Sequence, residues 1–251
     1  MNIDAPRPED IPHLRRLWKE AFGDSDAFLD RFFALAYSPR RSRCLRIDGV
    51  PAAGLYWFDC LRGEQPVAYI YAVATGEAHR GQGLCRRLME DTHRLLREEG
   101  YAAALLVPGN AGLFRLYEKL GYRAFCPMEQ TTVAAQGSPY PVQTLSKESY
   151  VNYLEVTLPP DSVRHTAPAM ALLAAESSFY RAGDTLFCAT REGDTLHIHQ
   201  YLGDGDLLPR ILAGLGVARG IVSLPGGKPY AMFLPLNGEP QPPAYFGIPL
   251  N

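Results

Sequence analysis

The chain has 251 residues, 47% of them hydrophobic and 21% charged, with a net charge of −2. This supports a well-buried core in one large domain or two small ones, and it excludes extensive disorder and a broad nucleic-acid-binding face. The five cysteines are odd in number and form no CxxC pair, so they suggest neither a disulfide framework nor a zinc knuckle, and they fit reduced thiols in a cytoplasmic protein.

The start, MNIDAPRPEDIPHL, lacks the basic-then-apolar order of a signal peptide, and no apolar run reaches the ~20 residues of a membrane span. Residues 9–21 carry Ile11, Leu14, Leu17, Trp18 and Ala21 at helical spacing, which predicts a helix. Gly23, Asp24 and Ser25 break it. Ser25 or Asp26 then caps a second helix, running to about Tyr37, with Phe28, Leu29, Phe32, Phe33 and Leu35 on one face. Strands follow at about 43–48 and 51–59, joined by an Asp48-Gly49 hairpin turn. Residues 66–75, PVAYIYAVAT, read as a strand buried on both faces.

From Gly83 to about Glu99 the pattern is helical again, and Gly100 ends it. Residues 102–107 form a further buried strand. A Pro-Gly-Asn loop leads into a helix from about Ala111 to Leu120, ended by Gly121. One or two strands lie near 122–133. Residues 135–147, rich in Gly, Pro, Ser and Gln, read as a linker. Beyond it the pattern predicts a helix at 168–181 and a hairpin of 185–190 and 195–201. A short helix at 205–215 follows, with strands near 220–224, 230–235 and 244–248. Gly-Asp-Thr-Leu occurs at 183–186 and again at 193–196, as two similar strand entries and not as a repeat architecture.

The chemistry is concentrated between Tyr69 and Tyr122. A buried strand runs into His79-Arg80-Gly81-Gln82-Gly83, and this loop opens directly into an amphipathic helix. Glycines there allow a sharp backbone bend and close approach to a ligand. Successive amides at the positive end of a helix dipole suit a phosphate or pyrophosphate. Arg80 adds a full charge, with Arg86 and Arg87 in the first helical turn. Gly81-Gln82-Gly83 also begins a GxGxxG pattern, but Arg86 stands at its third glycine and no acidic residue closes the next strand, which argues against a dinucleotide-binding domain.

Strand, glycine loop, helix, strand, Asn110, Tyr117-bearing helix and Lys119-Leu120-Gly121-Tyr122, in that order, resemble the GNAT family of N-acetyltransferases. The resemblance is strong over about 66–123 and weaker over 1–65. It implies an α/β fold of mixed α+β character, with a central mixed, mostly antiparallel sheet. The expected organisation is a GNAT domain at 1–134, a linker at 135–147 and a smaller α+β lobe at 148–251. That lobe has the outline of a degenerate second GNAT-like unit and lacks an Arg-x-x-Gly-x-Gly loop.

The family's loop pattern is matched by Arg80-Gly81-Gln82-Gly83-Leu84-Cys85, with cysteine where the family has Gly or Ala, leaving slightly less room for a pyrophosphate. By resemblance, the amides of about 81–86 (Gly81, Gln82, Gly83, Leu84, Cys85 and Arg86) hold the pyrophosphate of acetyl-CoA. The backbone of Val73 and Thr75 pairs with the pantetheine arm, Asn110 binds its amides, and Tyr117 lies near the thioester sulfur as general acid. No metal is implied. Asn110 and Tyr117 stand about two helical turns apart and are expected to face one cleft.

The glutamate base of some family members falls near Val67, and valine cannot serve. Glu77, Asp59, Glu64 or a water chain are the alternatives, and His79 suits the anion better than the amine. His197 and His199 share one side of a strand without an evident third metal ligand. The turn with Asp24, Asp26 and Phe28 borders the acceptor cleft by resemblance. Its two carboxylates suit a cationic amine, and equally a helix cap with a solvated face. The expected activity is acetyl transfer from acetyl-CoA to a small-molecule or peptide amine, with no nucleic-acid or membrane partner. The alternative is a non-catalytic acyl-CoA-binding or sensing module.

Overall fold

The computed structural model describes residues 1–238 and 241–247. The chain divides into two compact units. One comprises Met1–Arg123, Arg164–Leu172 and Met232–Pro242. The other comprises Ala124–Val163, Leu173–Ala231 and Pro243–Asn251.

The first unit begins with β1 (Asn2–Asp4), α1 (Ile11–Phe22) and α2 (Asp26–Leu35). Ser25 caps α2 by accepting from the Phe28 amide at 3.2 Å. β2 (Ser42–Ile47) and β3 (Val50–Arg62) form the expected hairpin. Asp48 and Gly49 both take positive φ, 50° and 84°, as a tight turn matched to strand twist requires. β4 (Gln65–Thr75), α3 (Leu84–Glu98), β5 (Ala103–Leu106) and α4 (Ala111–Glu118) follow.

The sheet of this unit has the order β1-β2-β3-β4-β5, then β14 (Ala231–Pro235). Its pairs are antiparallel except β4–β5, which is parallel. This is the mixed, mostly antiparallel sheet expected. On one face, Leu84, Leu88, Met89 and Leu96 of α3 and Tyr117 of α4 pack on Leu55, Trp57, Ala68 and Ile70. On the other, Trp18 and Phe32 lie against Tyr56 and Tyr71, with ring centroids 4.6 to 6.1 Å apart throughout this cluster.

The second unit is built on another sheet. After β6 (Arg123–Phe125) the chain runs through β7 (Met128–Ala134), β8 (Gln143–Leu145), α5 (Lys147–Thr157), β9 (Ser162–His165) and α6 (Ala167–Glu176), the last two crossing the unit boundaries after Val163 and Leu172. Then come β10 (Ser178–Ala182), β11 (Thr185–Glu192), β12 (Thr195–Leu202), α7 (Leu208–Gly214), β13 (Arg219–Pro225) and, after β14, β15 (Tyr245–Phe246). The strand order is β7-β13-β12-β11-β10-β8. The two Gly-Asp-Thr-Leu segments form the β10–β11 and β11–β12 turns, where Gly183 and Gly193 take φ of 62° and 57°.

Several local expectations change. The stretch 168–181 is not one helix: it stops at Glu176, and residues 178–182 pair with β11. A short apolar run does not distinguish helix from strand until its ladder partner is known. The stretch 135–147 contains β8, paired with β10, and β7 pairs with β13. α5, β1 and β9 carry no clear sequence signal. β14 returns to β5 in the first unit, so a single cut after residue 134 does not describe the contacts. Of the strand expected at 244–248, residue 248 lies outside the described residues.

Candidate active site

The β4–β5 ladder is short. Val67, Ala68 and Tyr69 pair with Ala103, Ala104 and Leu105, and there it ends, although β4 runs on to Thr75. Past that point Tyr71, Ala74 and Thr75 still pair with β3, and Ala72 and Val73 fall at the break in its register. The β3–β4 register also slips here. Gly54 faces Ala74 while Tyr56 faces Tyr71, so β4 carries an extra residue. Ala72 absorbs it with a φ of 49°. A bulge re-aims neighbouring backbone groups, and its left-handed conformation costs a non-glycine residue about 1–2 kcal/mol. Sequence reading missed Ala72. The only signal was a small residue inside a β-branched and aromatic run.

Beyond β4, a single turn at Glu77–His79 leads to the loop. Gly81 and Gly83 take φ of 75° and 74°, and a Cβ on either would meet open space. Glycine is therefore required here by conformation and not by crowding. Gly83 is the N-cap of α3 and no side chain caps the helix. Its first hydrogen bond runs from the Arg87 amide to the Gly83 carbonyl at 3.1 Å, so the amides of Leu84, Cys85 and Arg86 precede the helical ladder. The Leu84 side chain enters the core, and Cys85 packs partly against it. Burial pushes the Cys85 thiol up to about 11. The cysteine thus turns inward, which answers the expectation that it would reduce room at the loop.

Arg80 donates from Nε to the Thr75 carbonyl at 3.2 Å, and Gln82 donates to the Ala78 carbonyl at 3.2 Å, closing the loop on itself. Arg86 pairs with Glu90 at 2.8 Å on the exposed face of α3. Asn110 is the N-cap of α4. Its Oδ1 accepts from the amides of Gly112 and Leu113 at 3.0 and 3.1 Å, and its backbone is extended. It therefore stands at the N-cap of the helix that carries Tyr117, with its Oδ1 engaged and its side-chain amide N–H left over.

Tyr117 is 5% exposed within the core beneath α3 and α4. Burial, and then the neighbouring Cys85, raise its phenol above the ordinary value. Its ring meets Tyr122 edge-on, 5.8 Å between centroids.

The expected acceptor residues are partnered within the fold. Asp24 accepts from the Trp18 indole N–H at 2.7 Å. Asp26 bonds Lys19 at 2.9 Å and faces Arg15 at 3.6 Å, and the Lys19 hydrogen bond and charge lower its carboxyl below the usual range. Phe28 lies 6.1 Å from the Trp18 ring. Of the alternative bases, Asp59 accepts from Tyr101 at 2.6 Å and from Arg41 at 2.8 Å. Glu64 and Glu77 are exposed, and Val67 is buried opposite Cys60. In the second unit, His197 lies 3.3 Å from Glu192 and His199 lies 2.8 Å from Thr190. No group of three metal-ligating side chains occurs among the described residues. No helix there is long and apolar enough to cross a membrane.

A strand pair that parts beside a bulge, with an uncapped glycine loop opening the next helix, is an arrangement suited to an acyl-CoA-dependent transferase. Residues 2–125 match the family model of the acetyltransferase (GNAT) domain. Residues 2–125 thus form a domain of the GNAT acetyltransferase family. No curated protein sequence matches the chain.

Solved structures extend the likeness of fold beyond the matched domain. A GCN5-related N-acetyltransferase from Kribbella flavida is 16% identical with a TM-score of 0.71, over 94% of this chain and 72% of that one. One from Anabaena variabilis is 16% identical with a TM-score of 0.69, over 94% and 73%. One from Sphaerobacter thermophilus is 16% identical with a TM-score of 0.57, over 94% and 95%.

Proposed function

We propose that the protein transfers an acetyl group from acetyl-CoA directly to a primary amine, on a small molecule or a peptide. The observation that carries this reading is the β4–β5 ladder ending at Tyr69 beside the Ala72 bulge, continuous with the Gly81–Gly83 loop. In this reading the amides of residues 81–86 hold the pyrophosphate and Arg80 adds charge beside it. The backbone of Val73 and Thr75 lines the pantetheine arm, and Asn110 offers its remaining amide N–H. Acetyl-CoA is a co-substrate, and no metal takes part.

Acyl transfer forms a bond from the amine nitrogen to the carbonyl carbon and breaks the carbon–sulfur bond. The sulfur leaves with the electron pair and takes a proton. Tyr117 supplies that proton and regains one from solvent, which balances the proton the amine loses; a phenol raised by burial is in its protonated form at neutral pH. Backbone N–H groups at the β4 bulge suit the carbonyl oxygen as charge develops. The amine gives up its proton to solvent, since Val67 stands where some family members carry a carboxylate. The lobe from residue 148 on is proposed to be a degenerate GNAT-like unit that holds no CoA, because it lacks an Arg-x-x-Gly-x-Gly loop.

The valine at 67 favours a second reading, a sensing module that binds acyl-CoA without turnover. Calorimetry with acetyl-CoA and no added metal, combined with thiol release on spermidine, kanamycin, phenylalanine and a peptide with a free N-terminus, separates the two. Binding with turnover on at least one amine is expected. Binding without turnover on any of them would favour the sensor, and no binding would overturn both.

A further inference from the structure

Two side chains form a buried polar pair beneath α3 and α4. His93, on α3, is 4% exposed, and Tyr122, just after α4, is 2% exposed. The His93 Nε2 and the Tyr122 hydroxyl are 2.8 Å apart. Around them lie Leu88, Met89, Leu96 and Leu234. Burial lowers His93 to about 4, with the Arg97 charge adding to it, and burial raises the Tyr122 phenol. The imidazole is therefore neutral at physiological pH, and one hydrogen bond joins the pair, its direction set by the His93 tautomer.

A leucine and a phenylalanine in these places would fill the same space without desolvating two polar groups, at nearly no cost in stability. What the pair adds is direction. A hydrogen bond at the hydroxyl anchors the far end of the Tyr122 side chain. That ring stands edge-on to Tyr117, at 5.8 Å and 65°. Tyr117 itself makes no side-chain hydrogen bond among the described residues, so ring contact and packing set its orientation.

We propose that His93 is a positioning residue for Tyr117: by holding the Tyr122 hydroxyl, it fixes the ring against which the proton donor rests. The inference builds on the reading of Tyr117 as the donor. His93 does not reach the reacting atoms. It acts through Tyr122, and neither residue supplies or takes a proton in the reaction.

The test compares His93→Leu, which removes one partner, with His93→Gln, which keeps a polar group on a side chain of similar reach, and with Tyr122→Phe, which removes the hydroxyl. Thiol release is followed with acetyl-CoA and the amine of the panel that turns over fastest, beside acetyl-CoA affinity by calorimetry. In parallel, the Tyr117 ring signals are followed in spectra of protein labelled with [13C]tyrosine and assigned by Tyr117→Phe. His93→Leu and Tyr122→Phe are expected to lower kcat about 10-fold, the scale of a slightly misplaced catalytic group. Acetyl-CoA affinity should stay within about twofold, the Tyr117 signals should move, and His93→Gln should recover both. His93→Leu placed on Tyr117→Phe should cause no further loss of kcat.

Tyr117 signals unchanged in both His93→Leu and Tyr122→Phe would overturn the positioning, whatever the turnover. So would a kcat loss that is as large on Tyr117→Phe as on the parent. Parental kcat in Tyr117→Phe would instead overturn the donor assignment, and the moved signals would still support the contact.

Discussion

Trp18 donates its indole N–H to the Asp24 carboxylate at 2.7 Å, tying the end of α1 to the turn that enters α2. Trp18 is 1% exposed and is the hub of the aromatic cluster on that face of the sheet. Removing the carboxylate leaves a buried donor without a partner, at about 1–3 kcal/mol. Asp24→Ala should therefore lower the unfolding midpoint clearly, and Asp24→Asn, which keeps an acceptor, should lower it less. Asp26→Ala, in an exposed ion pair, should leave the midpoint unchanged. If Asp24→Ala melts like the parent but raises KM for the amine, Asp24 belongs to the acceptor site instead.

Gly83 separates conformation from ligand contact. Its φ of 74° penalises any side chain, while a Cβ there meets nothing. Gly83→Ala and Gly83→Glu should thus lose similar stability, about 1–2 kcal/mol from the left-handed backbone alone. Only Gly83→Glu puts a carboxylate where the pyrophosphate is proposed to lie, so only it should abolish acetyl-CoA binding by calorimetry. Equal, undiminished binding by both variants would remove the loop from the CoA site.

Arg80 reaches the Thr75 carbonyl at 3.2 Å, which gives it a structural task beside its charge. Arg80→Ala should weaken CoA more than pantetheine, which lacks the pyrophosphate, by about 10-fold or less at a partly exposed site. Equal loss for both ligands in calorimetry would mean that Arg80 serves only to hold the end of β4.

Tyr117→Phe keeps the ring and its edge contact with Tyr122 while removing the proton donor. A fall in kcat of roughly 10²-fold, with acetyl-CoA affinity nearly unchanged, is the expected result for a general acid. Turnover equal to the parent on the same amine would show that the thiolate leaves by another route.

The acid limb of the stability curve has an identifiable source in Asp10. Burial alone would raise its carboxyl, but hydrogen bonds from Arg46 and from the Arg7 amide, with the charge of Arg46, outweigh burial and lower it. A carboxyl lowered on folding adds stability above its unfolded value, about 4, and loses it as pH falls through the folded value. Asp10→Asn, which leaves Arg46 with Asp4 alone as ionic partner, should cost about 3 kcal/mol at neutral pH. The gap to the parent should narrow as pH falls below about 4 and go on narrowing through the lowered folded value. A gap in denaturant midpoints that does not narrow at all on acidification would assign the loss to packing.

Local features were legible in the sequence where the physics is local. Asp48-Gly49, Gly81 and Gly83 mark backbone that must take positive φ. The periodicity of Leu84, Leu88 and Leu96 marks the buried face of α3, and the continuous run of 66–75 marks a strand covered on both sides. These constraints act within a few residues, and together they were sufficient to indicate the GNAT fold and the loop of the candidate site.

The tertiary structure decided which groups are partnered. Asn110 caps α4 with its side-chain oxygen. Asp24 and Asp26 are bonded to Trp18 and Lys19. β14 crosses more than a hundred residues of sequence to lie beside β5, and the Ala72 bulge exists only through the β3 register. His93 meets Tyr122 because α3 and α4 pack on one sheet face. Strand pairing, and the partner of a buried polar side chain, depend on contacts between residues far apart in the chain, and no local propensity encodes them.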